Sequence, residues 1–281
     1  MNLSDARRIP ARPDLAAAHL EGLVTASEFV QGRRMRVVEE AVGLRARPGS
    51  DCSLDTQALF GERVTVYEIH EGWAWVQLEA DSYVGYMPAV ALDERLVAPT
   101  HRVGVPRTFV YPARTMKAPV NGGLPFGASV EVSALHGDFA ELAEGGYVWR
   151  AHLQPLDHVA DPVSSAELFL RVPYLWGGKS FLGLDCSGLV QIALQSAGVA
   201  APRDTDMQQA ELGEELPAEA PLRRGDLVFW KGHVGLMQDA ATLLHANGHH
   251  MQVVSEPFDE ACRRIAAKSY GAVTSRRRIG L

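Results

Sequence analysis

The stretch VPYLWGGKSFLGLDCSGLVQIALQSA, residues 172–197, places a single cysteine where a glycine-rich approach becomes a helix. Apolar residues recur at helical spacing after Cys186, and Gly198 supplies a stop signal, so Cys186 is expected in the first helical turn. Free backbone N–H groups and the positive end of the helix dipole favour the thiolate there, which is the nucleophilic form of cysteine. Free cysteines are also common as small core hydrophobes, so position alone leaves a catalytic and a packing role open.

Length and composition describe an ordinary globular protein of more than one domain. The chain has 281 residues, which predicts two or three domains, and 47% hydrophobic with 22% charged residues is typical of soluble proteins. The net charge of −7, without a long basic run, argues against nucleic acid as a partner. We find no stretch apolar enough to span a bilayer or to act as a signal peptide, so we expect no membrane partner and a cytoplasmic location.

The three cysteines fit neither a disulfide framework nor a paired metal motif. Cys52, Cys186 and Cys262 are odd in number and widely spaced, which favours a reducing compartment. A zinc site made of Cys186, His233 and His245 is chemically possible, but zinc sites usually have paired ligands close in sequence. We therefore expect no metal and no cofactor.

The first half of the chain reads as an N-terminal segment followed by two small β domains. In residues 1–33, Pro13 precedes an alanine-rich run that predicts a short helix with proline in its first turn. Residues 34–95 and 96–157 contain short alternating apolar runs separated by glycine and charged turns. Each of these two segments is expected to form a small all-β barrel.

The two β segments are copies of one another. Phe60-Gly61 recurs 66 residues later as Phe126-Gly127, whereas Gly85-Tyr86 recurs 61 residues later as Gly146-Tyr147. The first copy therefore carries extra residues, which fall around residues 79–83. Two copies of a strand repeat predict a duplicated barrel, because a solenoid needs three or more.

Residues 158–281 are expected to form a third domain of the α+β class. Asp161 followed by Pro162 predicts an N-cap and the first residue of a helix, and the Cys186 helix comes next. Short strands bounded by turn residues follow from about residue 226. Helices followed by an antiparallel sheet are the pattern of an α+β domain.

Two histidines on neighbouring strands of this domain can act on the cysteine. If residues 233–237 and 242–246 form a hairpin centred on Asp239, His233 lies directly opposite His245, with Cβ atoms ~5 Å apart on one face. This inference depends on the register of the hairpin. Such a pair has the geometry of a general base and the partner that orients its ring.

The third domain resembles the NlpC/P60 cysteine peptidases of bacterial cell-wall metabolism. Four motifs occur in order, and they are PYLWGG at 173–178, DCSGLV at 185–190, GDLVF at 225–229 leading to HVG at 233–235, and HA at 245–246. The resemblance implies a papain-like fold with Cys186 as nucleophile, His233 as general base and His245 as the orienting residue. It also implies that Tyr174 lies beside the nucleophile and that the N–H of Cys186 is an oxyanion donor.

The two β units resemble bacterial SH3 (SH3b) domains, the first ending in the motif GYMP at 85–88. Two SH3b units ahead of an NlpC/P60 domain are similar to γ-D-glutamyl-L-diamino acid endopeptidases, which select peptides with a free N-terminal L-alanine. The resemblance implies a substrate-binding set of Asp185, Ser187, Glu62, Tyr83 and Trp176. Helix N-capping is an equally good interpretation of Asp185 from the sequence alone.

The predicted architecture is an α+β papain-like catalytic domain preceded by two all-β SH3-like barrels and a short N-terminal helix. The leading hypothesis is a monomeric cysteine endopeptidase that cuts the γ-D-Glu to diamino acid bond of recycled muropeptides of the L-Ala-γ-D-Glu-diaminopimelate type. The alternatives are an amidase or acyltransferase acting on another amide, and a non-catalytic protein that binds cell-wall fragments.

Overall fold

The structure is a computed structural model that describes residues 5–280. It divides into two compact units, the first ending at Asp157 and the second beginning at His158. Among the described residues, no helix is both long enough and apolar enough to cross a membrane.

The first unit opens with two short strands where the sequence predicted a helix. Strand β1 (Leu15–Ala17) pairs in parallel with β2 (Glu28–Val30), and a single 3₁₀ turn (Ala18–Leu20) follows β1. The predicted N-terminal helix is therefore wrong, although residues 1–4 lie outside the described part of the chain. All three residues of β1 are buried, so packing around an extended segment outweighs the weak helix preference of a short alanine run.

The first β repeat is a sheet in the order β8-β7-β6-β3-β9 with a separate hairpin, β4-β5. Alternating residues of its strands are buried, as in β6, where Val64 and Val66 point into the core. Its strands are β3 (Arg33–Val37), β4 (Ala41–Leu44), β5 (Thr56–Leu59), β6 (Arg63–His70), β7 (Trp73–Leu78), β8 (Val84–Pro88) and β9 (Leu92–Asp93). A 3₁₀ turn (Ala89–Ala91) precedes β9.

The second repeat has its own core, formed by buried side chains that include Val103, Leu124 and Val148. Its strands are β10 (His101–Val103), β11 (Arg107–Val110), β12 (Gly122–Pro125), β13 (Ser129–Val130), β14 (Val132–His136), β15 (Phe139–Leu142), β16 (Tyr147–Trp149) and β17 (Leu153–Pro155). A 3₁₀ turn (Arg150–His152) precedes β17, as one precedes β9 in the first repeat.

The second repeat reproduces the strand pairing of the first. Strand β10 pairs with β13 and β17 as β3 pairs with β6 and β9, and the hairpin β11-β12 corresponds to β4-β5. A bridge between Arg45 and Tyr86 recurs between Tyr111 and Tyr147, at the same offsets of 66 and 61 residues that relate the two sequences. The duplication predicted from sequence therefore extends to the backbone pairing.

The extra residues of the first copy lengthen one hairpin. Strands β7 and β8 pair out to Gln77 and Val84, whereas the equivalent strands β15 and β16 pair only as far as Glu141 and Tyr147. Tyr83 comes directly before β8 at the end of this longer hairpin, and its side chain is buried.

The second unit consists of helices followed by an antiparallel sheet in the order β20-β25-β21-β22-β23-β24. Helix α1 begins as predicted, with Pro162 at its first position and Asp161 accepting from the N–H of Ser164 at 3.0 Å. The elements of the unit are α1 (Pro162–Glu167), β18 (Lys179–Ser180), β19 (Gly183–Leu184), α2 (Cys186–Ser196), α3 (Thr205–Glu211), β20 (Glu214–Glu215), β21 (Leu227–Trp230), β22 (His233–Met237), β23 (Thr242–Asn247), β24 (Gln252–Pro257), α4 (Phe258–Lys268) and β25 (Ser275–Arg278).

Helix α2 is the central helix of this unit. It packs against α1, β22 and β23, and nearly all of its residues are buried. The other side of the sheet packs on α4, where Phe258, Ala261 and Ile265 share a core with Val228 and Trp230. The sheet therefore holds one end of β22 and β23 against the N-terminal end of α2.

Candidate active site

Cys186 is the first residue of α2, as the sequence predicted. Asp185 is the N-cap, and its Oδ1 accepts from the N–H of Gly188 at 2.7 Å. Gly188 allows the close approach that this start requires, because a Cβ atom there would lie 2.2 Å from the carbonyl oxygen of Gly178. The DCSG motif thus fixes the cysteine against the WGG loop that precedes it.

Cys186 is buried, and this changes the expected ionisation of its thiol. Burial, followed by the charge of Asp185, raises the pKa of Cys186 to about 11, although Thr205, the N–H of Val234 and Arg203 oppose the shift. The helix terminus favours the thiolate, as the sequence indicates, but burial acts in the opposite direction and favours the neutral thiol. A base must take the proton from this thiol.

One side chain and one backbone N–H group lie next to the Cys186 thiol. The Oγ1 of Thr205, the first residue of α3, lies 3.8 Å from the Cys186 Sγ. The backbone N–H of Val234 also favours the thiolate, which brings the beginning of β22 to the sulfur. His233 is the residue directly before Val234, at the first position of that strand.

His233 and His245 form the hydrogen-bonded pair that the sequence predicted, but in a different register. Their Nε2 and Nδ1 atoms are 2.8 Å apart. The hairpin pairs Leu236 with Leu244 and Met237 with Leu243, so it is centred on Ala240 and not on Asp239. Moving the centre by one whole residue keeps both histidines on one face and makes them diagonal neighbours instead of directly opposed residues.

The turn explains this register. Oδ1 of Asp239 accepts from the N–H groups of Ala241 and Thr242 at 2.8 and 2.9 Å, so Asp239 opens the turn and is not its midpoint. Gly235 then lies beside His245, and a Cβ atom at Gly235 would come within 2.6 Å of the Leu243 side chain. The glycine of the HVG motif therefore makes room for the second strand.

Glu256 extends the histidine pair and was not found from the sequence. Its Oε1 lies 2.6 Å from Nε2 of His245, and its carboxylate also forms an ion pair with Arg264 of α4. Glu256 is paired with Leu243 across β23 and β24, so it is the diagonal neighbour of His245. The register of β23 and β24 would have located Glu256 next to His245, but this register was not predicted from the sequence.

Burial keeps both imidazoles neutral. Burial, followed by the charges of His245 and Arg264, lowers the pKa of His233 well below its usual value. Burial also lowers the pKa of His245, although its contact with Glu256 opposes this shift. The ring of Tyr270 stacks on His233, with centroids 5.2 Å apart and an angle of 8° between the planes, a contact that is not predictable from the sequence.

Asp185 is held by a buried network that the sequence did not predict. Its Oδ2 accepts from the N–H of Gly177 at 2.9 Å and from Arg203 at 2.6 Å, and its Oδ1 accepts from the Ser187 hydroxyl at 3.3 Å. Arg203 also donates to Ser187 at 2.8 Å. The helix-capping interpretation of Asp185 is therefore observed, and its predicted contact with a substrate amine stays a prediction.

Tyr174 lies near the cysteine, whereas Trp176 is largely exposed. Burial raises the pKa of Tyr174, and the negative charges of Cys186 and Asp185 raise it further, so its hydroxyl remains a donor. Trp176 has 66% of its surface exposed. Within residues 5–280, no group of three or more His, Cys, Asp or Glu side chains is arranged to hold a metal ion.

Glu62 and Tyr83 belong to the first unit. Glu62 occupies the turn between β5 and β6, where its backbone carbonyl accepts from Val37, and Tyr83 receives support from Asp81, which accepts from its N–H at 3.0 Å. Their suggested contacts with a substrate stay predictions.

Two protein-family models match parts of this chain, one in each unit. Residues 171–269 match the model of the NlpC/P60 family, and residues 44–92 match the bacterial dipeptidyl-peptidase SH3 domain. The second unit thus carries an NlpC/P60 domain, and the first unit carries a bacterial SH3 domain. The assignment covers the first of the two β repeats.

Similar proteins have related names. The chain is 27% identical over 230 residues to the gamma-D-glutamyl-L-lysine dipeptidyl-peptidase of Bacillus subtilis, covering 70% of this chain and 73% of that protein. It is 36% identical over 98 residues to dipeptidyl-peptidase 6 of Lysinibacillus sphaericus, about a third of either chain. An NlpC/P60 family protein from Bacillus cereus has the same fold, with a TM-score of 0.72, 21% identity and coverage of 87% of this chain and 99% of that one.

Proposed function

We propose that this chain is a cysteine peptidase that hydrolyses the γ-D-Glu to diamino acid bond of cell-wall muropeptides with a free N-terminal L-alanine. The observation that carries the proposal is the buried His233–His245 pair, bonded at 2.8 Å, at the strand whose Val234 N–H reaches the Cys186 sulfur. The names of the relatives support a dipeptidyl-peptidase acting on a γ-D-glutamyl bond.

The geometry suggests a reaction sequence for the proposed peptidase. Nε2 of His233 is engaged with His245, which leaves Nδ1 to take the proton from the Cys186 thiol. The sulfur then attacks the carbonyl carbon of the γ-amide, and the imidazolium returns the proton to the amine that leaves. Water hydrolyses the resulting thioester with His233 again as the base, which releases L-Ala-D-Glu and the free thiol.

The oxyanion of the tetrahedral intermediate needs donors that are already in place. The N–H of Cys186 is at the helix start, and the neutral hydroxyl of Tyr174 supplies a second donor beside the nucleophile. Both groups belong to the second unit. They are the oxyanion donors in this proposal.

The free amine of the substrate is placed at Asp185 and Ser187 in this proposal. The Ser187 contact, at 3.3 Å, is the longest of the hydrogen bonds to the Asp185 carboxylate, so an ammonium group replaces this one at the lowest cost. Trp176, which is largely exposed, completes the proposed substrate set of the second unit. The repeated strand pairing supports a second SH3b domain over residues 96–157, with a structural role.

The decisive experiment offers purified protein the tripeptide L-Ala-γ-D-Glu-L-Lys and its diaminopimelate analogue. We expect release of L-Ala-D-Glu, detected by mass spectrometry, and its loss in Cys186→Ala. N-acetylation of the alanine should reduce kcat/KM at least about 100-fold if a buried ion pair recognises the amine. No release of dipeptide from either peptide by the wild-type protein would reject the proposal.

The alternatives give different outcomes in the same assay. An amidase or acyltransferase on another amide would process acylated substrates as well as free amines. A non-catalytic protein that binds wall fragments would bind the tripeptide without turnover. The proposal includes a recycling role in the cytoplasm, in which the protein acts as a monomer on small peptides. This role predicts that cells lacking the protein accumulate the uncut tripeptide in their soluble fraction.

A further inference from the structure

The ion pair between Glu256 and Arg264 lies at the far end of the histidine pair. His233, His245 and Glu256 come from the adjacent strands β22, β23 and β24, and each is the diagonal neighbour of the next. The contacts are 2.8 Å between the two imidazoles and 2.6 Å between His245 and the carboxylate. His245 has no exposed surface, so water does not compete for its ring nitrogens.

Each neutral imidazole has one proton, and the partner of Nε2 of His245 decides where that proton sits. If Nε2 carries it and donates to Glu256, Nδ1 of His245 accepts from Nε2 of His233. Nδ1 of His233 is then unprotonated and able to act as a base. If Nδ1 of His245 carries the proton instead, the order reverses and Nδ1 of His233 is already occupied.

Asn247 favours the second, unproductive arrangement. Its Oδ1 accepts from the backbone N–H of His250 at 2.8 Å, which turns its Nδ2 toward Nε2 of His245 at 3.0 Å. An amide nitrogen can only donate, so this contact is satisfied when Nε2 is unprotonated. Glu256 and Asn247 therefore compete for the same ring nitrogen with opposite requirements.

We propose that Glu256 is a positioning residue that selects the Nε2-protonated form of His245 and thereby makes Nδ1 of His233 the catalytic base. This inference rests on the proposed peptidase function. A charged acceptor at 2.6 Å prevails over an amide donor at 3.0 Å, because hydrogen bonds to charged groups are about twice as strong as neutral ones. Arg264 keeps Glu256 ionised and in place.

The same carboxylate stabilises the imidazolium formed during catalysis. The charged and titratable groups that face this relay are Glu256 from β24, Arg264 from α4, His250 from the turn before β24 and Tyr270, which stacks on His233. Burial raises the pKa of Glu256, but its hydrogen bond with His245 and the charge of Arg264 leave that pKa below its usual value. Glu256 and Arg264 therefore act on His233 with opposite signs.

The first test is spectroscopic and does not require turnover. In protein labelled with ¹⁵N-histidine, we expect His245 to carry its proton on Nε2 and His233 on Nε2. Glu256→Gln should convert a measurable fraction of both rings to the Nδ1-protonated form. The matched control is Glu260→Gln, which removes an exposed carboxylate of α4. It should leave the protonation of both imidazole rings unchanged.

The second test uses the tripeptide assay. Glu256→Gln should lower kcat about 10- to 100-fold with little change in KM and should move the acid limb of the pH profile to lower pH, because His233 loses a stabilising charge. Arg264→Met should move the acid limb to higher pH. A merely structural role would not give opposite shifts.

A second substitution should restore the activity that Glu256→Gln loses. Adding Asn247→Asp to Glu256→Gln returns a carboxylate to Nε2 of His245 and should recover at least about tenfold of the lost kcat together with the Nε2-protonated form. Unchanged protonation of His245 in Glu256→Gln would overturn the inference, even if activity falls. If that variant does not fold, Asn247→Asp in the wild-type background decides the same question. A carboxylate added at Nε2 of His245 should move the acid limb to higher pH, as Arg264→Met does, and an unchanged limb in both variants would overturn the inference. Absence of turnover in the wild type rejects only the proposed function.

Discussion

Tyr270 covers one face of His233, and this contact predicts a change in ionisation. The two rings stack at 5.2 Å, and burial is the main cause of the lowered pKa of His233. Tyr270→Leu removes the planar cover and admits water, so we expect the pKa of His233 to rise toward its ordinary value of 6.5. NMR titration of the histidine ring measures this value. Tyr270→Phe keeps the stacked ring and should leave the pKa unchanged, whereas an unchanged pKa in both variants would contradict the prediction.

Asp185 joins the start of α2 to a buried arginine, which predicts a large loss of stability on its removal. Asp185→Ala deletes the cap of Gly188 and leaves Arg203, almost fully buried, without its carboxylate at 2.6 Å. Breaking a buried ion pair in this way costs about 3–5 kcal/mol, mostly from the remaining charge. We expect the free energy of unfolding of the second unit to decrease by this amount. Urea denaturation, monitored by hydrogen exchange of the amides of α2, measures the change.

The matched variant for that position is Asp185→Asn. It retains an oxygen that can cap Gly188 but lacks the charge opposite Arg203, so it should lose less stability than Asp185→Ala. Equal losses in the two variants would show that charge alone holds this end of the helix. A loss below about 0.5 kcal/mol in both would contradict the network described for Arg203.

The first turn of α2 packs closely against the loop that precedes it. A Gly→Ala substitution in this turn should therefore lower stability, although the same change in an exposed helix raises it. In the interior of an exposed helix, Gly→Ala stabilises by about 1 kcal/mol. At Gly188 the new Cβ would lie 2.2 Å from the carbonyl oxygen of Gly178, so Gly188→Ala should destabilise the second unit and displace Cys186. Thermal melting and the rate of thiol alkylation measure the two effects. Gly248→Ala, whose Cβ meets nothing within 4 Å, is the control and should change neither.

The elements of the second unit were largely predictable because its motifs coincide with helix and strand boundaries. Cys186 at a helix start and Asp161 before Pro162 follow from local capping chemistry. The centre of the β22-β23 hairpin did not, because the sequence does not show that Asp239 opens the turn with its side chain. The helix predicted after Pro13 does not form, because strand pairing and burial of this segment outweigh its helix propensity.

Contacts between distant elements were the part of the site that the sequence could not supply. Glu256, Tyr270 and Arg203 reach the site from β24, from the segment after α4 and from the loop before α3, and none of them belongs to a recognisable motif. Their positions depend on the tertiary packing of side chains whose sequence spacing carries no periodic signal. The duplication of the first unit was predictable, by contrast, because two copies can be compared within one chain.

At the scale of the whole molecule, the two units should respond differently to pH. The second unit buries His233 and His245 as neutral rings with lowered pKa values, so its unfolded state binds more protons than its folded state below pH 6.5. Stability is therefore full above pH 6.5 and falls as the pH decreases toward the folded pKa values. In the first unit, burial lowers the pKa of His152, which is only partly buried, and the effect should be smaller.

Calorimetry between pH 7.5 and 5.0 separates these contributions, because domains of one chain can unfold in separate transitions. We expect the transition of the second unit to lose about 1–3 kcal/mol between pH 6.5 and 5.0, which corresponds to roughly 4–10 °C in Tm. His233→Asn with His245→Asn removes both titrating rings and should flatten this dependence. A slope that persists in the double variant would assign the acid sensitivity to other groups and would contradict neutral burial of the pair.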